Sequence, residues 1–502
     1  MNKILQALVQ RAEQTPDATA FTGYSERTQQ MESISYLSLL ARVREAADQL
    51  SRLAAHCIAL RAENSLDWVI ADLAAMQAQI PSVPVPMFFS DAQVAHTLEQ
   101  SGADVLIGEW HSWQPELLGQ IEGMPLWRNE HEHEHEHEHA HGAHWLPGSS
   151  KITFTSGSTG QPKGVCLSDE QLAQVSSALA DSIATETCCE KHLILLPLST
   201  LLENITGVYV PLLLGATSVV VPGQAVGLSG SSQFNSNQFA VALSQYQPNS
   251  LVLTPALLMA LIHIVTLNPM LSRSLKFVAV GGARVTPALL QKAQSLGIPA
   301  FEGYGLSECA SVVSLNTPSA HKPGTSGRVL PHVEVKIAQD GEVLVRGNVA
   351  LGYIGEPFAQ PWLATGDLGE LDEQGFLTIN GRKKNQIITA YGRNISPEWL
   401  ESEAQLLPAL QSMVVVGEGQ SSLTAVVDGN QPEIVVQSIH KLNNTLPDYA
   451  RIGKVVTVAG LKQQPGLFTS NGRPVRQQFE NWLATLPESD NKIVTTQLQQ
   501  SC

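Results

Sequence analysis

Polar and apolar positions change their period several times along the chain. Near the N-terminus, Leu5, Leu8, Val9 and Ala12 share one helical face with charges between them. That pattern predicts an amphipathic helix, unlike the unbroken apolar core of a signal peptide. From about residue 150 to 302, short β-branched runs alternate with helical patterns, the mark of strands joined by helical crossovers in a parallel sheet. Residues 193–198, 218–221, 251–253 and 277–280 read as strands. Thr254-Pro255 and Thr286-Pro287 read as N-caps with a first-turn proline, Ser168 with Gln171 as a capping box, and Gly215 and Gly297 as helix stops. From about 324 to 380 the texture becomes hairpins: VEVKIA and EVLVRG flank Asp340-Gly341, and another turn falls at Glu373 to Gly375. After Gly381 the basic stretch RKKN leads into a mixed region, with a helix predicted over 397–407 and strands over 413–416 and 423–427.

The expected fold class is α/β. A large multi-subdomain N-terminal domain over 1–383 combines parallel sheets flanked by helices with a β-rich subdomain, and a small mobile α+β domain over 384–502 follows a hinge at Lys384. A chain of 502 residues, 43% hydrophobic and 15% charged, agrees with a multi-domain globular protein able to enclose a large site. The formal net charge of −16 and the lack of a basic stripe argue against a nucleic-acid partner. Six cysteines without a CxxC pair suggest neither a disulfide framework nor a zinc site, and a cytoplasmic location is expected. The most membrane-like stretch, Gly207 to Pro222, is too short to span and is broken by Pro211 and Gly215, so it reads as a buried helix followed by a buried strand.

Between Glu203 and Arg273 there is no Asp, Glu, Lys or Arg. Such a segment reads as sheet interior and suits an apolar pocket, where an unpaired charge would be costly. Residues 130–144, EHEHEHEHEHAHGAH, hold seven of the fifteen histidines. This tract reads as a solvated insertion; adventitious or regulatory binding of nickel, zinc or copper is the alternative.

The strongest chemical signal is KITFTSGSTGQPKGVCLS, Lys151 to Ser168. A strand pattern enters a hydroxyl- and glycine-rich loop and then resumes. Gly157 and Gly160 permit close backbone approach, Thr155, Ser156, Ser158 and Thr159 add hydroxyls, and Lys163 adds a point charge. Polyphosphate is the ligand this chemistry suits. The loop is not a Walker A sequence, because no Ser or Thr follows the lysine.

TSGSTGQPKG resembles the signature loop of the acyl-adenylate-forming superfamily, which includes acyl-CoA synthetases, firefly luciferase and peptide-synthetase adenylation domains. GGARVTP (281–287), GYGLSE (303–308), TGDLGELDEQGFLTINGRKK (365–384) and NGRPVR (471–476) resemble four further motifs in the family's order. The N-terminal PDATAF, ISYLSLLARVREAADQL and VPVPMFFSDAQVAHTLEQSGADVLI resemble its first subdomain, so the likeness covers nearly the whole chain apart from the His tract.

The resemblance implies ATP, Mg2+ and coenzyme A as ligands, and it implies a role for each matching residue. Residues Thr155 to Gly160 and Lys163 would wrap the phosphates. Tyr304 would stack on adenine in a slot closed by Gly282, Ala283 and Gly303, and Gly305 would belong to the same ATP-binding set. Ser307 would donate to the α-phosphate, Glu308 would hold magnesium, Asp367 would accept the ribose hydroxyls, and Arg382 would reach the ribose or phosphates. Lys384 would be the hinge, Gly392 would admit pantetheine, and Lys163, Glu308 and Arg473 would be the catalytic set.

Two departures stand out: Arg473, followed by Pro474, replaces the family's usual lysine, and Thr200 stands where many relatives have a histidine or aromatic gate to the acyl site. LPLSTLLEN has no aspartate of the kind amino-acid-activating relatives use, and it looks more like fatty-acyl than acetyl synthetases. The expected activity is therefore ATP-dependent activation of a carboxylic acid, a fatty acid by preference, with transfer to coenzyme A. An acyl-AMP ligase that loads an acyl carrier protein, and a weakly catalytic metal-binding relative, are the alternatives.

Overall fold

The computed structural model describes every residue except 1, 111, 112, 114, 130–144, 156–161, 185, 186, 188, 231, 232, 470, 471, 487–492 and 499–502. The His/Glu tract and Ser156, Gly157, Ser158, Thr159 and Gly160 of the signature loop therefore lie outside the described residues.

Two nine-stranded mixed sheets build the large domain. In the first, parallel strands run in the order Ala300–Tyr304, Phe277–Val280, Ser250–Leu253, Lys191–Leu193, Thr217–Val220 and Thr19–Ser25, with antiparallel pairs at both edges. The second has a parallel centre of Lys151–Thr155, Ser82–Pro84, Ile58–Arg61 and Val105–Gly108. It is extended on one side by Lys163–Leu167 and then Gly352–Tyr353, both antiparallel. One continuous core fills the space between the sheets, with helices Tyr36–Arg52, Leu66–Ala78 and Asp169–Ala184 in it. The helices Ser236–Tyr246, Pro255–Leu267 and Pro287–Ser295 cover the opposite face of the first sheet.

The helix Leu66–Ala78 is apolar almost all round, and every residue from Leu66 to Met76 is buried. Its two carboxylates are held by partners, as burial of charge requires. Asp72 takes Lys151 Nζ, the Asn204 amide at 3.0 Å and the Tyr209 hydroxyl at 2.7 Å. Asp67 takes Ser25 Oγ and an Arg42 guanidinium nitrogen, each at 3.2 Å.

Several expected elements appear as read, among them the Thr254 and Thr286 caps, the Ser168–Gln171 box and the left-handed Gly215 stop. The hairpin across Asp340-Gly341 pairs Val333–Ile337 with Glu342–Gly347 and belongs to a four-stranded antiparallel sheet. Residues beyond Lys384 form a small α+β unit around a second four-stranded sheet.

Three expectations need correction. The strand read over 193–198 stops at Leu193. Pro197 has no N–H to give a ladder, and distant side chains take the rest: Asn64 bonds the Leu196 carbonyl at 2.9 Å and the Leu198 N–H at 2.8 Å. The helix read over 397–407 ends at Ala404, where tighter three-residue turns run up to Pro408. The charge-free segment is mostly helical and not sheet interior, with Val241, Leu267 and Met270 exposed. Within it Ile205–Tyr209 is a single π-turn, in front of Pro211, and Ser218 Oγ satisfies the Gly207 carbonyl at 2.7 Å. No helix among the described residues is long and apolar enough to cross a membrane.

Candidate active site

Thr155 and Lys163 face each other as register partners, the last pair of the signature hairpin before its connecting loop. The strand that carries Lys163 pairs on its other side with Gly352–Tyr353, which sets the Lys163 ammonium 4.7 Å from the centre of the Tyr353 ring. The Tyr353 hydroxyl in turn donates to Glu308 Oε1 at 2.8 Å. Burial and the Glu308 charge push the Tyr353 phenol well above its ordinary pKa, so it stays a donor.

Glu308 lies in a 3-10 turn, Ser307–Cys309, that begins two residues after Gly305. Any side chain at Gly305 would collide with the Ser311 carbonyl, because a Cβ there would stand 1.7 Å from its oxygen. Among the described residues no cluster of three metal-ligating side chains exists. The Glu308 carboxylate, joined to Lys163 through Tyr353, nonetheless fits magnesium, which binds through one or two carboxylates together with substrate phosphates.

The side of the site around Tyr304 is built on register. Phe277–Val280 and Ala300–Tyr304 run parallel as neighbours, which sets Gly281, at the start of the turn that carries Gly282 and Ala283, next to Gly303. The Tyr304 hydroxyl donates to Asp367 Oδ2 at 2.6 Å, and Arg382 Nε lies 3.0 Å from Asp367 Oδ1. Asp367 and Arg382 are themselves opposite one another on paired strands. Burial raises the Asp367 pKa, Arg382 and Tyr304 pull it back, and Glu308 adds to the rise, so the two carboxylates share one cleft. Each Asp367 oxygen already has a partner, and one lone pair on each remains for a hydroxyl donor.

Arg473 reaches this cluster from the small domain. Burial and the Arg382 charge lower its pKa while Asp367 opposes them; Arg473 is still exposed, so water discounts the burial effect. Lys384, in the 3-10 turn Lys383–Asn385, feels the same neighbours: burial, Arg382 and Arg473 lower its pKa and Asp367 raises it. Arg382 thus pairs with Asp367, whose charge Lys384 and Arg473 also feel, beside a cavity of about 450 Å³ lined in part by Thr365, Arg382 and Lys384.

Two expected residues are not brought in. Gly392, at φ +70°, has no atom within 4 Å of where a side chain would begin. Thr200 turns its hydroxyl onto the Pro197 carbonyl at 2.6 Å, and it is Ser199 that lines a cavity of about 290 Å³ with Asn64, Phe88, Leu195 and Pro197.

Sequence reasoning missed Tyr353, Glu302 and Arg284. Glu302 is buried directly before Gly303, takes Ser326 Oγ at 3.3 Å, and is pushed by desolvation up to about 8, against the pull of Ser326 and Arg284. A carboxylate in the apolar run AFEGY was the available signal. Arg284, whose pKa burial lowers against the charges of Glu302, Glu403 and Glu398, donates to the Ile379 and Asn380 carbonyls at 3.4 Å each.

Comparison with known proteins adds three findings. The model of the AMP-binding enzyme family matches residues 8–356. Curated relatives include a long-chain-fatty-acid–CoA ligase of Mycobacterium bovis, 28% identical over 72% of this chain and 71% of its own length. They also include a 2-succinylbenzoate–CoA ligase of Bacillus subtilis, 27% identical over 82% and 84%. Among solved structures, o-succinylbenzoate CoA synthetase from Bacillus subtilis with an acyl-adenylate superposes with a TM-score of 0.73 at 23% identity, over 94% of this chain and 97% of that one. An anthranilate–CoA ligase with anthranoyl-AMP gives 0.77 at 18%, over 97% and 98%. At these identities the structural likeness speaks for the fold.

Proposed function

We propose for this chain, which belongs to the AMP-binding enzyme family, the two-step activation of a carboxylic acid. The carboxylate attacks the α-phosphorus of ATP and displaces pyrophosphate; the thiolate of coenzyme A then attacks the acyl-adenylate and displaces AMP. The observation that carries the reading is the electrostatic coupling of Arg473, in the small C-terminal unit, to Arg382 and Asp367. Arg382, Lys384 and Arg473 outnumber Asp367 and Glu308 there, and positive charge fixed in place is what phosphoryl-group chemistry needs.

In this reading Asp367 holds the ribose through its free lone pairs, and Tyr304 offers adenine a ring anchored by its own hydroxyl. Gly282, Ala283, Gly303 and Gly305 close the slot, and Ser307 donates to the α-phosphate. Thr155 to Gly160, Lys163 and Glu308 take the phosphates and their magnesium. Residues 1–383 and 384–502 act as two bodies, with Lys384 as the hinge. Arg473 at the cluster and Gly392 in open solvent suit the adenylation arrangement, and a turn of the small domain would exchange them for thioester formation.

The acid is a fatty acid. The cavity beside Ser199 has apolar walls from Met87, Phe88, Leu195 and Leu228; its charged lining residue is Glu63, and no lysine or arginine lines it among the described residues. An apolar tail suits that wall, whereas the second carboxylate of a succinylbenzoate would meet Glu63 without a counter-ion. The fatty-acid–CoA ligase among the relatives supports the same choice, and the relatives named as CoA ligases support coenzyme A over an acyl carrier protein as acceptor.

The test is a panel of fatty and aryl acids with ATP and magnesium, with hydroxylamine to trap acyl-AMP, with and without coenzyme A. Hydroxamate and pyrophosphate without coenzyme A, and acyl-CoA with it, are expected for fatty acids. Absence of pyrophosphate exchange with every acid would refute the activity; turnover of aryl acids alone would refute the substrate.

A further inference from the structure

Residues 350–354 form a short strap between two parts of the site that are far apart in sequence. On one side, the Leu351 N–H donates to the Cys166 carbonyl at 3.0 Å and the Ile354 N–H to the Gly164 carbonyl at 2.9 Å, so the strap is stitched to the strand that starts at Lys163. On the other side, the Ala350 N–H donates to the Glu308 carbonyl at 2.7 Å. Gly352, at φ +152°, lets the strap press against its own return strand, where a Cβ would stand 2.3 Å from the Glu356 carbonyl oxygen. The Tyr353 ring is braced edge-on by Phe358 at 5.2 Å.

We propose that Tyr353 is a positioning residue for the adenylation step, a role that rests on the activity argued above. Its ring seats the Lys163 ammonium and its hydroxyl aims the Glu308 carboxylate. A lysine on four rotatable bonds and a glutamate on a turn are both mobile groups, and their attraction would draw them together before substrate arrives. The rigid phenol holds them apart at a set separation, so that the ammonium meets the phosphates and the carboxylate meets their magnesium. The hydroxyl takes one lone pair of Glu308 Oε1 and leaves Oε2 for the metal.

The test uses the full-length protein and two variants, Tyr353→Phe and Tyr353→Leu. ATP binding is measured by calorimetry across magnesium concentrations, pyrophosphate exchange is measured alongside, and thermal melting checks the fold. Phe keeps the ring under Lys163, so ATP binding without added magnesium should change less than about two-fold, while the magnesium needed for half-maximal tightening should rise roughly 5- to 10-fold. Leu should show that rise and also roughly 5-fold weaker ATP binding without magnesium. A Phe variant with wild-type magnesium dependence overturns the proposal. So does a loss that is equal with and without magnesium and tracks a lower melting temperature, because that is packing alone. Wild-type protein that binds no ATP refutes the underlying activity, and this role with it; wild-type binding with an unchanged Phe variant refutes this role only.

Discussion

Glutamine at position 302 removes a proton-binding group that the fold holds away from water. Glu302 is 7% exposed, and desolvation lifts it from the ordinary 4.5 to about 8 in the folded protein. Between those values the folded chain keeps a proton that the unfolded chain has released. Stability from this group is therefore complete below about pH 4.5 and is lost as pH rises towards 8. At ~1.4 kcal/mol per unit, the gap corresponds to roughly 5 kcal/mol across the window, of which about 3 kcal/mol is gone by pH 7. Glutamine keeps an acceptor for Ser326 and does not titrate. Urea unfolding of wild type and Glu302→Gln at half-unit steps from pH 5 to 8 isolates the term as the difference between two curves, because the other carboxylates cancel. The variant should gain on wild type by several kcal/mol towards pH 8. A flat difference would refute the buried, protonated state. A flat difference with wild type the more stable throughout would mean that Glu302, its titration complete below this window, is an anion held by Arg284.

Arg473→Ala should slow acyl-AMP formation about 100-fold, the usual scale for losing a charge aimed at a transition state. Thioester formation from supplied acyl-AMP should change far less, and equal losses in both half-reactions would remove Arg473 from the adenylation step. Glu308→Ala should lower pyrophosphate exchange by about two orders of magnitude, and full activity would dissolve the phosphate-site assignment. Lys151→Met leaves Asp72 buried without its cation and should cost about 3–5 kcal/mol in urea unfolding; a loss below about 1 kcal/mol would show that the carboxylate has other support.

Local chemistry was legible wherever its cause was local. Thr254-Pro255, Thr286-Pro287 and Asp340-Gly341 announce a cap or a turn through the residues next to them, and the structure puts helices and a hairpin there. The run after Leu193 misled, because Asn64, more than a hundred residues away, takes the backbone groups a strand would have used. Tyr353 was illegible for the same kind of reason: nothing in LGYIGEP shows that it will pair with Val165 and meet Glu308. The order of motifs gave Tyr304, Asp367 and Arg382, which the structure brings together, yet it gave no hint that Asp367 would already be held from both sides.

The wholly buried helix Leu66–Ala78 bears on how the chain is made. The cation that neutralises Asp72 comes from Lys151, and its other partners, Asn204 and Tyr209, come later still. As the chain leaves the ribosome, the first hundred and fifty residues carry a carboxylate meant for the interior with none of its three companions yet synthesised. A fragment that ends before Lys151 would have to bury Asp72 unpaired or leave that helix in water, and both are unfavourable. The helix therefore reaches its charge-paired packing only once residue 209 has emerged.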